Sequence, residues 1–272
     1  MAGKIHVVDA GTLRPPGGGE IPTQCLLVER PNGILAVDAG FSLSFLMDSK
    51  AIGFERFFIR PPQYPHLALA NQVRALGFSP ADVTDIALTH LHSEHCAGIM
   101  DFPDARIHVS QREFDVANNG SLRSKVSYRQ HIWAHGPNWQ FHTGTATWQG
   151  IHNAAYIDAD TVLVPLPGHT IGHCGVAVRT GDRWLLHAGD SSYSDLTLPT
   201  SPKPIFPLRQ YQWISAADRA AARRTLGVLK KLSRDPDIDV INSHSGIDHL
   251  ARTTGQLITA AAGHPPQDER DN

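Results

Sequence analysis

Short apolar runs separated by turn residues dominate the first ninety positions. Ile5-His6-Val7-Val8-Asp9-Ala10 reads as a strand, and Pro15-Pro16-Gly17-Gly18-Gly19 as the loop after it. The apolar runs Thr23 to Glu29 and Ile34 to Asp38 flank Arg30-Pro31-Asn32-Gly33, and the Asn-Gly pair between them predicts a hairpin. Residues 41–65 mix five phenylalanines with Pro61-Pro62 and Pro65, a composition that predicts a lid-like surface excursion. The spacing of Leu67, Ala70, Val73 and Leu76 predicts a helix over 66–76, stopped by Gly77. Ser79-Pro80-Ala81-Asp82 has the form of a helix N-terminus. Ile86 to Thr89 and Ile107 to Val109 are predicted as short buried strands, and Ser110 as the cap of a helix through Ala117.

The second half repeats the strand-then-helix order. Residues 119–153 carry Trp133, Trp139 and Trp148 without a clean period and are expected to form an insertion over a site, its aromatics leaning toward a substrate pocket. Thr161 to Val164, Gly175 to Val178 and Trp184 to His187 are predicted strands, followed by a proline-rich loop from Tyr193 to Gln212. Ala216 to Leu232 is a predicted helix, apolar at Leu226, Val228, Leu229 and Leu232, and Val240 to Asn242 a last strand. Strands in two batches, each followed by helices, with no long linker between, predict one layered α/β domain over 1–272 with a frayed tail at 264–272.

Composition narrows the function. Twenty-four basic and 26 acidic side chains give a formal charge of -2, which lacks the basic excess of a nucleic-acid binder. No apolar run is long enough to span a bilayer. The N-terminal segment enters a strand without a signal-peptide pattern, so a cytoplasmic location is the default expectation. Three scattered cysteines predict no disulfide framework. Histidine is over-represented, with sixteen against five tyrosines and five tryptophans, which directs attention to metal ligation or acid–base chemistry.

The histidines converge at predicted strand ends. Thr89-His90-Leu91-His92-Ser93-Glu94-His95 places three imidazoles and a carboxylate directly after a buried strand, the donor set that suits Zn²⁺ and related ions. Pro167-Gly168-His169-Thr170-Ile171-Gly172-His173 puts another imidazole in a Gly-rich turn. His187-Ala188-Gly189-Asp190 and Asn242-Ser243-His244-Ser245 end two further strands with a carboxylate and an imidazole. Asp38, at its own strand end, is expected to buttress the histidine loop. His173 and His187 are expected to be supporting or core histidines, and Cys96 and Cys174 packed thiols.

Taken in order, His-x-His-x-(acidic)-His, Pro-Gly-His-Thr, Gly-Asp and a late His resemble the metallo-β-lactamase superfamily over residues 38–244. The resemblance implies a four-layer αββα sandwich with metals at one edge of the sheets. It implies that His90, His92 and His169 hold a first metal, that Glu94, His95 and His244 hold a second, and that Asp190 bridges both. The chain departs from the pattern at Glu94, where the family has Asp. The head group is the same on a stem one methylene longer, which puts the second site in question. The implied reaction is hydrolysis: paired metals lower the pKa of a bridging water and polarise a carbonyl, while Glu94 passes a proton to the leaving group. Tyr193, three residues after Asp190, matches the Asp-x-x-Tyr spacing of the acyl-homoserine lactone lactonases of that superfamily, with an ordinary loop aromatic as the other reading.

The resemblance thus implies a hydrolase that opens a lactone or other carboxylic ester, an N-acyl-homoserine lactone among them, acting on a small molecule with an apolar portion. Zinc is the expected ion, two per chain, with iron or manganese as alternatives. The rival readings on this fold are a sulfur dioxygenase with one iron, a glyoxalase II-like thioester hydrolase, and a metal-binding protein without catalysis. No nucleic-acid or membrane partner is expected, and a homodimer is left open.

Overall fold

The structure is a computed structural model that describes residues 3–16, 19–120, 128–193, 212–244 and 258–260. Among these, thirteen strands form two sheets. The first contains β1 (Ile5–Asp9), β2 (Gln24–Arg30), β3 (Gly33–Val37), β4 (Val83–Ala87), β5 (Arg106–Ser110), β6 (Asn138–His142) and β13 (Ile258–Ala260), in the order β13-β1-β2-β3-β4-β5-β6. The second contains β7 (Ala146–Trp148), β8 (Ile151–Asp158), β9 (Thr161–Pro165), β10 (Cys174–Thr180), β11 (Arg183–His187) and β12 (Ile238–Ile241), in the order β12-β11-β10-β9-β8-β7. The predicted hairpin joins β2 to β3 and closes with Arg30 opposite Gly33.

Alternation along the strands sorts their side chains into three cores. Val7, Leu26, Leu35 and Ala87 face the second sheet and meet Leu163, Val176, Val178 and Leu185. Their neighbours Val8, Leu27, Ala36 and Ile86 point the other way, onto Phe45 and Leu46 of α1 (Leu43–Met47) and Leu69 and Val73 of α3 (Leu69–Ala75). On the far side, Val162, Val164 and Leu186 pack beneath Leu229 and Leu232 of α6 (Arg219–Leu232). Helix, sheet, sheet, helix: the molecule is the four-layer αββα sandwich.

Local departures have local causes. The predicted helix at 66–76 breaks at Ala68, whose ψ of 132° is not helical, so a single turn at Pro65–Leu67 precedes α3. Ser79 caps only one turn, Pro80–Asp82, with a full capping box, because Val83 already pairs with Ile34. That strand ends at Ala87, not at Thr89, which frees the next two residues from the sheet. The C-terminal helix starts at Arg219, where the Asp218 carboxylate accepts from the amides of Ala220 and Ala221, and Val228 faces solvent.

Where they are described, residues 119–153 carry regular structure. They supply β6 and β7, the edge strands of the two sheets. Their tryptophans pack instead of lining a pocket: Trp148 is buried against Trp184, Trp133 is buried in the first core, and Trp139 lies on Phe114 and Phe141. Residues 41–65 do make an excursion, through α1, a 3₁₀ stretch Ser49–Glu55 and α2 (Arg56–Ile59); Phe41 and Phe45 point inward, while Phe54, Phe57 and Phe58 are exposed. Positions 121–127, most of the proline-rich loop (194–211) and the tail at 264–272 lie outside the described residues. Among those described, no helix is long and apolar enough to cross a membrane.

Candidate metal centre

The side chains singled out in the sequence come from strand ends of both sheets. His90 and His92 follow β4, and His95 lies in α4 (Ser93–Cys96), the turn begun at His92. His169 sits in the β9–β10 loop, Asp190 follows β11 and His244 follows β12. Gly168 makes the His169 loop possible: its φ is 143°, and a Cβ there would lie 2.4 Å from Ala222 Cα in α6.

Among the described residues, two sets of donor atoms form, each within 4.8 Å: His90 with His92 and His169, and His90 with His95 and Asp190. His92 Nδ1 and His169 Nε2 are 3.0 Å apart. Asp190 lies at the centre, with Oδ1 3.2 Å from His95 Nε2, Oδ2 3.5 Å from His169 Nε2, and both oxygens 3.2 Å from His244 Nε2. His244 therefore joins through Asp190. Glu94 enters neither set. Tyr193 donates its hydroxyl to Asp190 Oδ2 at 3.0 Å, and its ring stacks on His244.

Supporting contacts fix which nitrogen of each ring faces inward. His95 Nδ1 donates to Asp38 Oδ2 at 2.9 Å, and His244 Nδ1 to the Pro22 carbonyl at 2.8 Å. Thr89 also anchors on Asp38, through its amide at 2.7 Å and its hydroxyl at 2.9 Å, and the hydroxyl meets His90 Nδ1 at 3.0 Å. With Nδ1 engaged, each Nε2 turns toward Asp190 or the neighbouring imidazoles, the usual role of such contacts around a metal. His173 Nε2 accepts from the Asp190 amide and His187 Nε2 donates to the Gln24 carbonyl, so both are supports. The thiols of Cys96 and Cys174 are buried and pushed well up by burial.

The electrostatics favour a cation. Burial, followed by neighbouring imidazoles, pushes His90 well below its usual pKa; burial does the same to His169 and takes His92 to about 4. These rings are neutral, as ligands must be. Around Asp190 the balance reverses. Burial pulls His95 and His244 down, but the Asp190 carboxylate outweighs it and raises both. Burial likewise opposes ionisation of Asp190, yet His244 and His95 hold it well below the carboxylate range. Among the described residues, His90 Nε2 is buried with no hydrogen-bond partner, an orphan of a kind that costs about 1–3 kcal/mol. His95 Nε2 and Asp190 Oδ1 are buried with only their 3.2 Å ion contact to each other and that of Asp190 to His244. Imidazole and carboxylate donors gathered on one spot fit a metal ion of the zinc, iron or manganese type.

Two contributing residues had no signal in a motif. Glu113, in α5 (Gln111–Asn119), accepts from the Leu91 amide, the Tyr128 hydroxyl and the Thr170 hydroxyl. Glu55 accepts from the Ser93 hydroxyl at 2.7 Å and pairs with Arg129 at 3.3 Å, tying the excursion to the histidine loop. Glu113 was findable: it stands four residues before the buried Ala117, where an apolar residue belongs.

A model of the metallo-beta-lactamase superfamily matches residues 18–229. The chain belongs to that superfamily. Among its members, a probable metallo-hydrolase of Mycobacterium tuberculosis is 36% identical over 261 residues, covering 92% of this chain and 83% of its own. The N-acyl homoserine lactonase AttM of Rhizobium radiobacter is 28% identical over 205 residues, covering 70% and 77%. The fold matches the structure of B. thuringiensis AiiA with N-decanoyl-L-homoserine bound at its active site, with a TM-score of 0.71, 19% identity and coverage of 92% and 96%. A second neighbour is AidC, a dizinc quorum-quenching lactonase, with a TM-score of 0.58, 21% identity and coverage of 83% and 73%.

Proposed function

We propose that this metallo-hydrolase opens the ring of a lactone, with N-acyl-homoserine lactones as its substrate class and zinc as its ion. The observation that carries the reading is the Tyr193 hydroxyl, held 3.0 Å from Asp190 Oδ2 beside His244. It brings a neutral hydrogen-bond donor to the rim of the metal cluster, where a lactone carbonyl oxygen would lie. The lactonases among the relatives support the same substrate class.

In this reading His90, His92 and His169 hold one ion, and His95, His244 and Asp190 belong to a second site toward which Glu94 would have to reach. Bound there, the metal supplies Lewis acidity and an acidified water. The chain's own groups do the rest. Tyr193 Oη, whose proton goes to Asp190 here, would turn that donor to the carbonyl oxygen when the Asp190 carboxylate engages a metal. Glu94, raised by burial, with Asp190 and Glu55 acting in the same direction against His95, is the carboxyl assigned to pass a proton to the departing alkoxide oxygen. Phe54, Phe57 and Phe58, next to the Glu55–Ser93 contact, offer an apolar wall for an acyl chain.

The test pairs elemental analysis with turnover of N-acyl-homoserine lactones of graded chain length, simple esters and a thioester. Two zinc ions per chain with lactone opening is the expected result. Zinc-loaded protein that cleaves only the thioester would replace the substrate class. One iron per chain with oxygen-dependent oxidation of a persulfide would overturn hydrolysis.

A further inference from the structure

Glu113 has no part in the chemistry above, yet its position is hard to explain by packing alone. The side chain is fully buried in the first turn of α5. Oε1 accepts from the Leu91 amide at 3.1 Å and the Tyr128 hydroxyl at 3.0 Å, and Oε2 from the Thr170 hydroxyl at 2.6 Å. Leu91 stands between His90 and His92, and Thr170 follows His169. One carboxylate is therefore bonded to both loops that carry the three imidazoles of the first donor set, at the point where His92 and His169 approach to 3.0 Å. The His169 loop is seated directly on this helix turn, since a Cβ at Gly172 would lie 2.2 Å from the Glu113 nitrogen. The Tyr128 ring leans on His92, with centroids 5.5 Å apart, so the same network also borders the ligand from outside.

A fully buried carboxylate is strongly disfavoured unless its acceptor sites are filled. A polar network that is complete, by contrast, fixes one arrangement of the groups it joins. An apolar residue at 113 would fill the space without joining the loops.

We propose that Glu113 is a positioning residue for the metal centre: its carboxylate locks the His90–His92 loop to the His169 loop and so sets the spacing of the first donor set. This rests on the reading of that set as a metal site.

The test is a Co²⁺ titration of the metal-stripped full chain in competition with a chelator, followed by visible absorption, with thermal unfolding of the stripped protein run in parallel. Wild type should bind two ions. Glu113→Ala should weaken one of them by about 10–100-fold and change the cobalt spectrum, the scale seen when groups that orient metal ligands are removed. Glu113→Gln should recover most of that loss, because its carbonyl can still accept from Leu91 and its amide can donate to the Thr170 oxygen. If Glu113→Ala does not fold, Thr170→Ala cuts the same link from the other loop and should weaken the same ion. A lowered melting temperature with unchanged Co²⁺ affinity and spectrum in these variants would reduce Glu113 to a packing role and overturn the proposal, leaving the metal site standing. A wild-type chain that binds no Co²⁺ would overturn both.

Discussion

At the residue scale the roles proposed for Tyr193 and Glu94 separate cleanly, because neither belongs to the two donor sets. Tyr193→Phe removes one hydroxyl and keeps the ring on His244. Metal content should stay the same while lactone kcat/KM falls about tenfold or more, each tenfold being ~1.4 kcal/mol of transition-state binding. Loss of metal from that variant would show the hydroxyl to be a support for Asp190. Glu94→Gln retains size and removes the proton, so lactone kcat should fall by about 10²–10⁴, the span of general acid catalysis. An ester with a leaving group that needs no proton should be affected far less, and equal loss on both would exclude Glu94 as the acid. What made His90, His92 and His95 legible was chemistry that cannot be scattered: three imidazoles in six positions demand a common partner. Glu55 and Glu113 escaped because a lone carboxylate in a helix looks like solvated surface until its donors, which come from distant loops, are in place.

At the element scale, elements with an undisturbed period and the expected turn residues were readable, and those with half-polar faces were not. The β2–β3 hairpin and α6 announce themselves. β6 does not, because as an edge strand it is only partly covered along its length. The β7–β8 hairpin turns on Gln149 and Gly150, with φ of 48° and 78°, so Gln occupies a left-handed position where Asn would have signalled the turn. Side chains that tie short elements together are equally silent in sequence. Asp101 accepts from the Leu43 amide at 2.7 Å and so holds the start of α1; burial raises its carboxyl to about 6. The folded protein therefore keeps this proton above the usual carboxylate pKa of about 3.9, and stability contributed by the protonated form is lost as pH rises from roughly 4 to 6. Asp101→Asn keeps the acceptor and removes the ionisation. Denaturant unfolding at steps across that window should show the difference between variant and wild type growing in the variant's favour by about 1–2 kcal/mol, less than the full linkage value because the group is half-buried. A pH-independent difference would mean Asp101 titrates as an ordinary surface carboxylate.

At the scale of the whole molecule, the site joins two sheets that meet mainly through apolar side chains, with polar links from Arg30 to Asp158 and Thr161 and from His187 to the Gln24 carbonyl. His90, His92 and His95 come from the first sheet's loops, and His169, Asp190 and His244 from the second's, so whatever neutralises Asp190 also holds the halves of the sandwich in register. Protons and metal compete for that task, and they predict opposite responses to pH. In stripped protein, His95 and His244 are raised above their unfolded values by Asp190, so their stabilisation is complete below pH 6.5 or so and drains away as pH rises through their folded pKa values. Asp190, held well below its unfolded value, contributes above pH 4 or so and fails only in strong acid. With zinc bound, the imidazoles no longer need the protons, and metal affinity itself rises with pH. Thermal unfolding of stripped and zinc-loaded protein from pH 6 to 8.5 should therefore diverge: the stripped curve falls, the loaded one holds, and the gap widens with pH. A constant gap would mean that the ion does not displace protons from His95 and His244, and that these two rings are not part of the site that zinc fills.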